Sequence, residues 1–281
     1  MHNAVQAASD CLPIDIEAVV VKIYSYFYIY TVRVEELKEF CEFVEIEYKQ
    51  LLGYSKTRWL ALMPAVERII KLFPGLRSYF QSQSKCPVLL KTFFENPHAE
   101  IWLNFVHSQA AAFQQVILKI EGENISAVEV LTAVSNLKET LQSRKDNVFL
   151  PHSVRKLVSK LEHEGLADPS AIRNVVVEFY DTCINYLDQW SANLPNLGCM
   201  QWVSLKQVPN WSDVEKTMDF AVEKQMFDIR LDSSLFDEFV CAAKYITDRV
   251  AEWNESNVPT DQRWVQVFTH CKARDVSHQR V

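Results

Sequence analysis

Glycine is scarce in this chain, with five among 281 residues, at positions 53, 75, 122, 165 and 198. Folds rich in β-strands need many tight turns, and glycine is a preferred residue of such turns. The phosphate-binding loops of the common nucleotide-binding folds need closely spaced glycines, which this sequence lacks. The scarcity of glycine therefore disfavours β-rich folds and excludes glycine-rich phosphate loops.

Motifs that carry catalysis or bind metals are also missing. The seven cysteines are scattered with no C-x-x-C pair, the seven histidines form no H-E-x-x-H pair, and no G-x-S-x-G turn occurs. Several cysteines fall on predicted apolar helix faces, which favours buried thiols in a reducing compartment over disulfides or zinc ligands. We assign no catalytic residue, no metal ligand and no cofactor.

Long apolar runs and excess positive charge are absent as well. The most hydrophobic window, residues 18–30, includes Lys22 and is shorter than the about 20 apolar residues that a membrane crossing needs. We expect no membrane association. The net charge of −7 argues against a strongly basic nucleic-acid-binding surface. Two local basic groups, Arg155-Lys156 with Lys160 and Lys272 with Arg274, are interpreted as solvated helix faces.

Apolar residues at helical spacing are abundant. Counted from Trp59, apolar residues follow at intervals of three and four as far as Phe73. The spacing, the caps and the prolines together predict helices over 15–32, 35–52, from 58 to 73 with Pro64 inside, 76–81, 87–94, 98–120, 126–144, 152–164, 168–190, from 212, 233–253 and from 260. The chain is therefore predicted to be all-α, a multi-helix array of antiparallel amphipathic helices. We expect one helical domain over 1–281, with 1–195 and 196–281 as candidate sub-layers.

Three ordered motifs carry a family resemblance. The stretch Thr57-Arg58-Trp59 resembles the T-R-W signature of hAT-superfamily DNA transposases. Pro64-Ala65-Val66-Glu67-Arg68-Ile69 is similar to the P-A-x-E-R-I/L helix of that family, and Arg263-Trp264-Val265-Gln266-Val267-Phe268 resembles the approach to its terminal block. The order of the three motifs is more specific than the Arg-Trp pair alone.

The resemblance implies a helical fold and the loss of the catalytic residues. In such transposases an RNase H-like sheet holds an Asp, Asp, Glu triad, and a helical insertion domain with the Arg-Trp motif separates the second Asp from the Glu. By that alignment the present chain matches the insertion domain and lacks all three catalytic positions. The resemblance therefore implies a non-enzymatic, transposase-derived helical protein. It would act in the nucleus, or otherwise the cytoplasm, and associate with DNA or a full-length relative.

Two residues carry over as candidate DNA contacts. Trp59 matches the tryptophan that stacks on a flipped base in active relatives, and Arg58 would neutralise a nearby phosphate. In the structural alternative, Trp59 begins an apolar stripe and belongs to the core, while Arg58 pairs with a carboxylate. A further functional alternative is a protein-interaction scaffold that binds its partner through an exposed apolar face.

Overall fold

A computed structural model describes residues 1–53, 58–122, 125–192, 197–226 and 232–278, with side chains described for 235–272 in the last range. Every regular element in these ranges is a helix, which confirms the all-α prediction. The α-helices are α1 (His2–Ser9), α2 (Ile16–Phe27), α3 (Thr31–Phe43), α4 (Met63–Ser82), α5 (Val88–Glu95), α6 (Ala99–Ile120), α7 (Ala127–Asp146), α8 (His152–His163), α9 (Pro169–Ser191), α10 (Trp211–Glu223), α11 (Asp232–Glu255) and α12 (Thr260–His278). Two 3₁₀ segments, Trp59–Leu62 and Gly198–Ser204, complete the set. No helix within the described ranges is both long and apolar enough to cross a bilayer.

The chain divides into two compact units. Unit 1 comprises residues 1–117 and 136–193, and unit 2 comprises 118–135 and 194–281. The predicted boundary after residue 195 falls close to the start of the second segment of unit 2. The first segment of unit 2, residues 118–135, falls inside the predicted sub-layer 1–195, so the sequence did not predict that it belongs with the second unit. Each unit has its own cluster of buried apolar side chains.

Unit 1 contains the larger apolar core. Helix α1 packs on α9, α3 packs on α4, and α4 packs on α5. The buried positions of each helix recur every three or four residues, as on α4 at Val66, Ile69, Phe73, Leu76 and Phe80. A stripe of this kind buries one face of a helix and leaves the other in water. Burial of these faces, at about 25 cal/mol per Å² of apolar surface, is the main stabilising contribution to unit 1.

Helix α4 continues through Pro74, although the sequence predicted a break at Phe73-Pro74-Gly75 and a separate helix over 76–81. That prediction is wrong. A proline inside a helix removes one backbone hydrogen bond and costs about 3 kcal/mol. The buried stripe continues on both sides of Pro74, and helix α3 packs so closely that a Cβ added to Gly75 would lie 2.7 Å from Cys41 Sγ. Tertiary packing therefore overrides the local preference for a break.

Helix α3 starts and ends earlier than predicted. The expected helices over 15–32 and 35–52 are replaced by α2, a turn, α3 and a non-helical segment after Phe43. Glu45 follows α3 with φ of +58°, and the Ile46 backbone N–H donates to the Cys41 carbonyl at 2.9 Å. This is a Schellman cap, in which a left-handed residue closes the last turn of a helix. Glycine is the usual residue at that position, so Glu45 gave no sequence signal.

The same cap ends four other helices. In each, a residue with positive φ follows the helix, and the next backbone N–H donates to a carbonyl five residues earlier at 2.8–2.9 Å. The left-handed residues are Val148 after α7, Gly165 after α8, Gln225 after α10 and Asn257 after α11. Among these five capped helices, glycine occupies the left-handed position once, as expected for a glycine-poor chain.

Helix starts follow the sequence more closely. Asp15 and Asp168 cap α2 and α9 by accepting from the backbone N–H groups of Ala18 and Ser170, both at 2.8 Å. The helix predicted to start at 212 begins at Trp211, because Asn210 is the cap of α10 and Asp213 is its reciprocal partner in a capping box. The side-chain oxygens of Asp and Asn satisfy backbone N–H groups that have no partner within the helix.

Unit 2 is held together around one buried cation. Arg263 is 4% exposed and donates to the carbonyls of Leu205, Trp253 and Val258 and to Asn254 Oδ1, at 2.8–3.0 Å. Burial lowers the pKa of its guanidinium. The side chain belongs to the Arg-Trp-Val-Gln-Val-Phe stretch of the family resemblance, and here it joins α12 to the end of α11.

Candidate nucleic-acid interface

Trp59 lies in the core of unit 1. It begins the 3₁₀ turn Trp59–Leu62 that leads into α4, and its side chain is 5% exposed. The indole therefore offers no open face to a base in this conformation. Arg58 is exposed, in extended backbone, and its carbonyl accepts from the Ala61 N–H at 2.8 Å. Thr57 lies outside the described residues. DNA contact by Arg58 and Trp59 stays a prediction.

The surface next to Trp59 is acidic. A depression of about 420 Å³ is lined by Trp59 together with the carboxylates of Asp10, Asp15 and Glu17. Burial raises the pKa of the Asp10 carboxyl, and the charges of Asp15 and Glu17 add to the shift. A DNA phosphate brought to this depression would meet charges of its own sign. The electrostatics at Trp59 disfavour nucleic acid.

The opposite end of helix α2 has the reverse charge. Two open depressions, of about 560 and 430 Å³, meet there and share Tyr26, Arg33 and Lys85. We call this surface the Arg33 groove and define it by Lys22, Ser25, Tyr26, Tyr30, Arg33, Glu36 and Lys85. The end of α2, the start of α3 and the loop between α4 and α5 bring these side chains together.

Arg33 is held between two tyrosine rings. Its guanidinium carbon lies 4.1 Å from the ring centroid of Tyr26 and 3.9 Å from that of Tyr30. One Nη1 hydrogen bond of 2.9 Å to the Tyr26 carbonyl fixes the side chain further. Cation–π contacts of this kind contribute about 0.5–2 kcal/mol each. The guanidinium has more N–H donors than this one bond uses, so a pre-positioned cation remains able to bind an oxyanion.

An aromatic cluster forms the floor of the groove. Tyr26 is 9% exposed and packs against Phe27, Tyr79 and Phe80 at centroid distances of 5.1–6.3 Å. The Tyr79 hydroxyl donates to Glu36 Oε2 at 3.2 Å. Burial is the largest cause that raises the pKa of the Tyr79 phenol, so this donor keeps its proton. The groove therefore rests on a rigid base.

The net charge of the groove is positive. Among the described residues that line it, Lys22, Arg33 and Lys85 are cations and Glu36 is an acid. Lys22 and Lys85 are exposed, and no carboxylate of the described residues lies within 4.0 Å of their ammonium groups. Three cations beside exposed aromatic surface resemble the strand-binding grooves of proteins that bind single-stranded nucleic acid.

The rim of the groove is an exposed apolar turn. Tyr28 is 68% exposed, Ile29 69%, Tyr30 46% and Val32 69%. Four neighbouring residues of this kind form a patch rather than scattered surface apolar groups. Arg33 lies over the ring of Tyr30, while nearly half of the Tyr30 surface stays accessible to an incoming group.

Unit 2 contains a depression with a smaller excess of positive charge, three lysines against two acids. Its volume is about 650 Å³, and it is lined by Lys119, Glu129, Lys206, Asp213 and Lys216 among other residues. Lys206 Nζ lies 2.8 Å from Glu129 Oε1, and the Asp213 carboxylate completes the cap of α10. These pairings use much of the local charge, so the Arg33 groove is the stronger candidate for an anion.

The sequence did not identify this groove. It singled out Arg155, Lys156 and Lys160, which lie exposed on α8, and Lys272 with Arg274, whose side chain lies outside the described residues. The signal that could have located the groove is the tyrosine-rich end of α2 followed closely by Arg33. Lys85 joins them only through the fold.

Neither a search for metal-binding clusters nor a comparison with known proteins gives a further indication of function. No three His, Cys, Asp or Glu side chains in the described part of the chain are grouped to hold a metal ion. Comparisons of this chain with protein-family models, with curated proteins and with solved structures give no match.

Proposed function

We propose that this chain is a non-catalytic, hAT-transposase-derived helical protein that binds single-stranded or frayed DNA in the nucleus through the Arg33 groove. The observation that carries the DNA contact is the guanidinium of Arg33, fixed between Tyr26 and Tyr30 with Lys22 and Lys85 in the same groove. The ordered motifs around Arg58-Trp59 and Arg263-Trp264 support the ancestry, and the all-α fold agrees with an insertion domain.

Each part of the groove has a role in this proposal. Arg33, Lys22 and Lys85 contact successive phosphates, and Tyr30 offers ring surface to a base. Base stacking on an aromatic side chain contributes about 1–3 kcal/mol and tolerates any sequence. A paired duplex keeps its bases stacked inside, so the groove favours strands that are already open.

Binding at this groove is expected to be weak and sensitive to salt. Each phosphate neutralised on a single strand releases condensed counterions, and three contacts give a slope of log K against log salt of about −2. The net charge of −7 on the whole chain adds long-range repulsion at low ionic strength. Weak, salt-dependent binding without sequence preference is the expected behaviour.

Fluorescence anisotropy on the full chain tests the proposal. The probes are a labelled single-stranded oligonucleotide, a duplex with a frayed end and a blunt duplex. Wild type should bind the first two more tightly than the blunt duplex. Arg33→Ala should lose about tenfold in affinity, because one charged contact and the support of Tyr30 disappear together.

Lys156→Ala provides a matched control. It removes the same charge from the exposed face of α8, so it should change affinity less than about twofold. Thermal unfolding of both variants checks that they fold. Equal affinities of wild type and Arg33→Ala, or an equal loss in Lys156→Ala, would remove the groove from the proposal.

A second candidate function is protein binding at the rim of the groove. The observation that favours it is the patch of Tyr28, Ile29, Tyr30 and Val32, because exposed tyrosine beside arginine is typical of interface hot spots. Ile29→Ser separates the two functions, since it leaves every cation in place. Capture of nuclear proteins that survives nuclease treatment but is lost in Ile29→Ser, with oligonucleotide affinity unchanged, would favour a protein partner.

A further inference from the structure

Two thiols meet between the last two helices of unit 2. Cys241 Sγ on α11 lies 3.7 Å from Cys271 Sγ on α12, and both residues are half-buried. A disulfide requires sulfurs at about 2.05 Å, with side chains that face each other across a short backbone gap. The two sulfurs are already at contact distance, so only a short approach separates them from a bond.

The surrounding contacts hold these thiols together. Helices α11 and α12 form an antiparallel pair in which Tyr245 stacks on His270 at 4.3 Å and Trp253 Nε1 donates to Gln266 Oε1 at 2.9 Å. Tyr245 lies one turn from Cys241 on α11, and His270 precedes Cys271. The approach of the two sulfurs is therefore part of a packed interface.

The connected end of the helix pair is already fixed. Arg263 joins the start of α12 to the Trp253 carbonyl near the end of α11 and to the Val258 carbonyl in the connecting segment. Cys241 and Cys271 lie further along the pair, away from the segment that connects α11 to α12. A covalent bond at that position would join the two helices at a second point.

We propose that Cys241 and Cys271 form a reversible disulfide that clamps the α11–α12 pair when the protein meets an oxidant of the peroxide class. One thiolate attacks hydrogen peroxide, which gives a sulfenic acid and hydroxide. The second thiolate then attacks the sulfenic sulfur, the S–S bond forms, and hydroxide leaves. With the two thiol protons, the products are one disulfide and two waters. A dithiol reductant reverses the reaction by thiol–disulfide exchange.

Four of the other five cysteines differ from this pair in burial, in contacts or in position. Cys41 and Cys183 are buried, and burial raises the pKa of both thiols and thereby lowers the thiolate fraction. Cys11 Sγ lies 3.2 Å from the Thr182 hydroxyl. Cys199 is half-buried in unit 2, outside the α11–α12 pair, and serves as a matched control.

The test is limited oxidation of the full chain by hydrogen peroxide. Intact mass should fall by two hydrogen atoms, and non-reducing peptide mapping should show Cys241 joined to Cys271. The unfolding temperature of unit 2 should rise by about 5–10 °C on oxidation and should return to its original value after reduction by dithiothreitol. Cys199→Ser should behave as wild type, and Cys241→Ser and Cys271→Ser should each abolish both the mass loss and the shift.

Three results would overturn the proposal. The first is peroxide oxidation that gives no intramolecular cross-link. The second is a cross-link that involves Cys199 as often as Cys241 or Cys271. The third is a Cys241–Cys271 bond that leaves the unfolding temperature unchanged, which would show that the bond does not clamp the helices.

Discussion

The two ends of helix α2 place an aromatic residue beside an arginine in opposite environments. At the first end, Trp59 is 5% exposed and the adjacent depression is lined by Asp10, Asp15 and Glu17. At the second end, Tyr30 is 46% exposed and the adjacent groove contains Lys22, Arg33 and Lys85. The first end has the sequence motif, and the second has the accessible ring and the positive charge.

The comparison shows that an Arg-aromatic pair does not specify a nucleic-acid contact by itself. A base can stack only on a ring with an accessible face, and a phosphate approaches only where neighbouring charges favour it. Trp59 has no accessible ring face in this conformation, and its acidic neighbours would repel a phosphate. Tyr30 and Arg33 meet both requirements.

The largest expected effect is on stability at the first end. Trp59→Ala should lower the free energy of unfolding by about 3–5 kcal/mol, because it leaves a large cavity in the core of unit 1. Tyr30→Ala is the matched change at the second end and should cost less than about 1 kcal/mol, the size of one exposed ring contact. Urea unfolding monitored by circular dichroism measures both. Similar losses in the two variants would contradict the distinction between a core and a surface aromatic residue.

The next effect concerns binding. Arg33→Glu should weaken binding of a single-stranded oligonucleotide by about 10–100-fold, equivalent to about 1.4–2.7 kcal/mol, because it reverses one of three groove charges beside Glu36. Arg58→Glu makes the same charge change at the first end and should alter affinity less than about threefold. Anisotropy titrations at fixed salt compare them. A greater loss in Arg58→Glu would return the DNA contact to the Arg-Trp motif.

A smaller effect tests why α2 begins in acidic surroundings. Asp15→Ala should cost about 1 kcal/mol of stability, because the Ala18 N–H loses its side-chain acceptor at the helix start. Asp15→Asn keeps an acceptor and should cost much less. Thermal unfolding near neutral pH compares the two. An equal loss in Asp15→Asn would mean that the carboxylate charge, and not the cap, stabilises the helix.

The smallest effect is a pH dependence at Asp10. Its folded-state pKa is raised by burial and by Asp15 and Glu17, so the folded protein binds this proton more tightly than the unfolded chain. Ionisation of Asp10 therefore lowers the free energy of unfolding as pH rises from the ordinary Asp pKa of 3.8 through the raised folded-state pKa. Asp10→Asn should be more stable than wild type at pH 7, by at most about 0.5 kcal/mol, because only part of the Asp10 side chain is buried and solvent screens its charge.

The control for Asp10 is a pH series. The difference between Asp10→Asn and wild type should disappear well below pH 3.8, where Asp10 is protonated in both the folded and the unfolded states. Glu139→Gln, on the exposed face of α7, removes one negative charge away from the acidic depression. An advantage of Asp10→Asn that persists at low pH, or one that Glu139→Gln reproduces, would assign the effect to something other than the neighbours of Asp10.

The sequence predicted the helices well where apolar stripes were regular. Helices α5, α6, α8 and α9 lie within a few residues of their predicted ranges, because a 3.6-residue apolar period has few structural alternatives. The helix starts at Asp15 and Asp168 could also be predicted, because the side-chain oxygen of Asp accepts a hydrogen bond at the start of a helix.

The helix ends and the candidate interface were harder to predict from the sequence. Glu45 occupies a position where the sequence gave no reason to expect a left-handed backbone, and Pro74 lies in a helix that packing preserves. The groove depends on Lys22, Arg33 and Lys85, which approach one another only after three separate segments have packed. Patterns within one segment cannot report a site of that kind.

The non-glycine helix caps make the stability of this protein adjustable. Val148 is β-branched and adopts φ of +44°, a conformation that costs an L-residue about 1–2 kcal/mol, and Glu45 and Gln225 adopt φ of +58° and +57°. Glycine at Glu45 or Gln225, which are both exposed, would relieve that cost, against a smaller loss from greater freedom of the unfolded chain. Val148 also packs against the core of unit 1, so glycine there would lose apolar contacts together with the strain. The backbone thus contains latent thermostability at two exposed helix ends, away from both the core and the Arg33 groove. A more robust protein with the same fold is two substitutions distant.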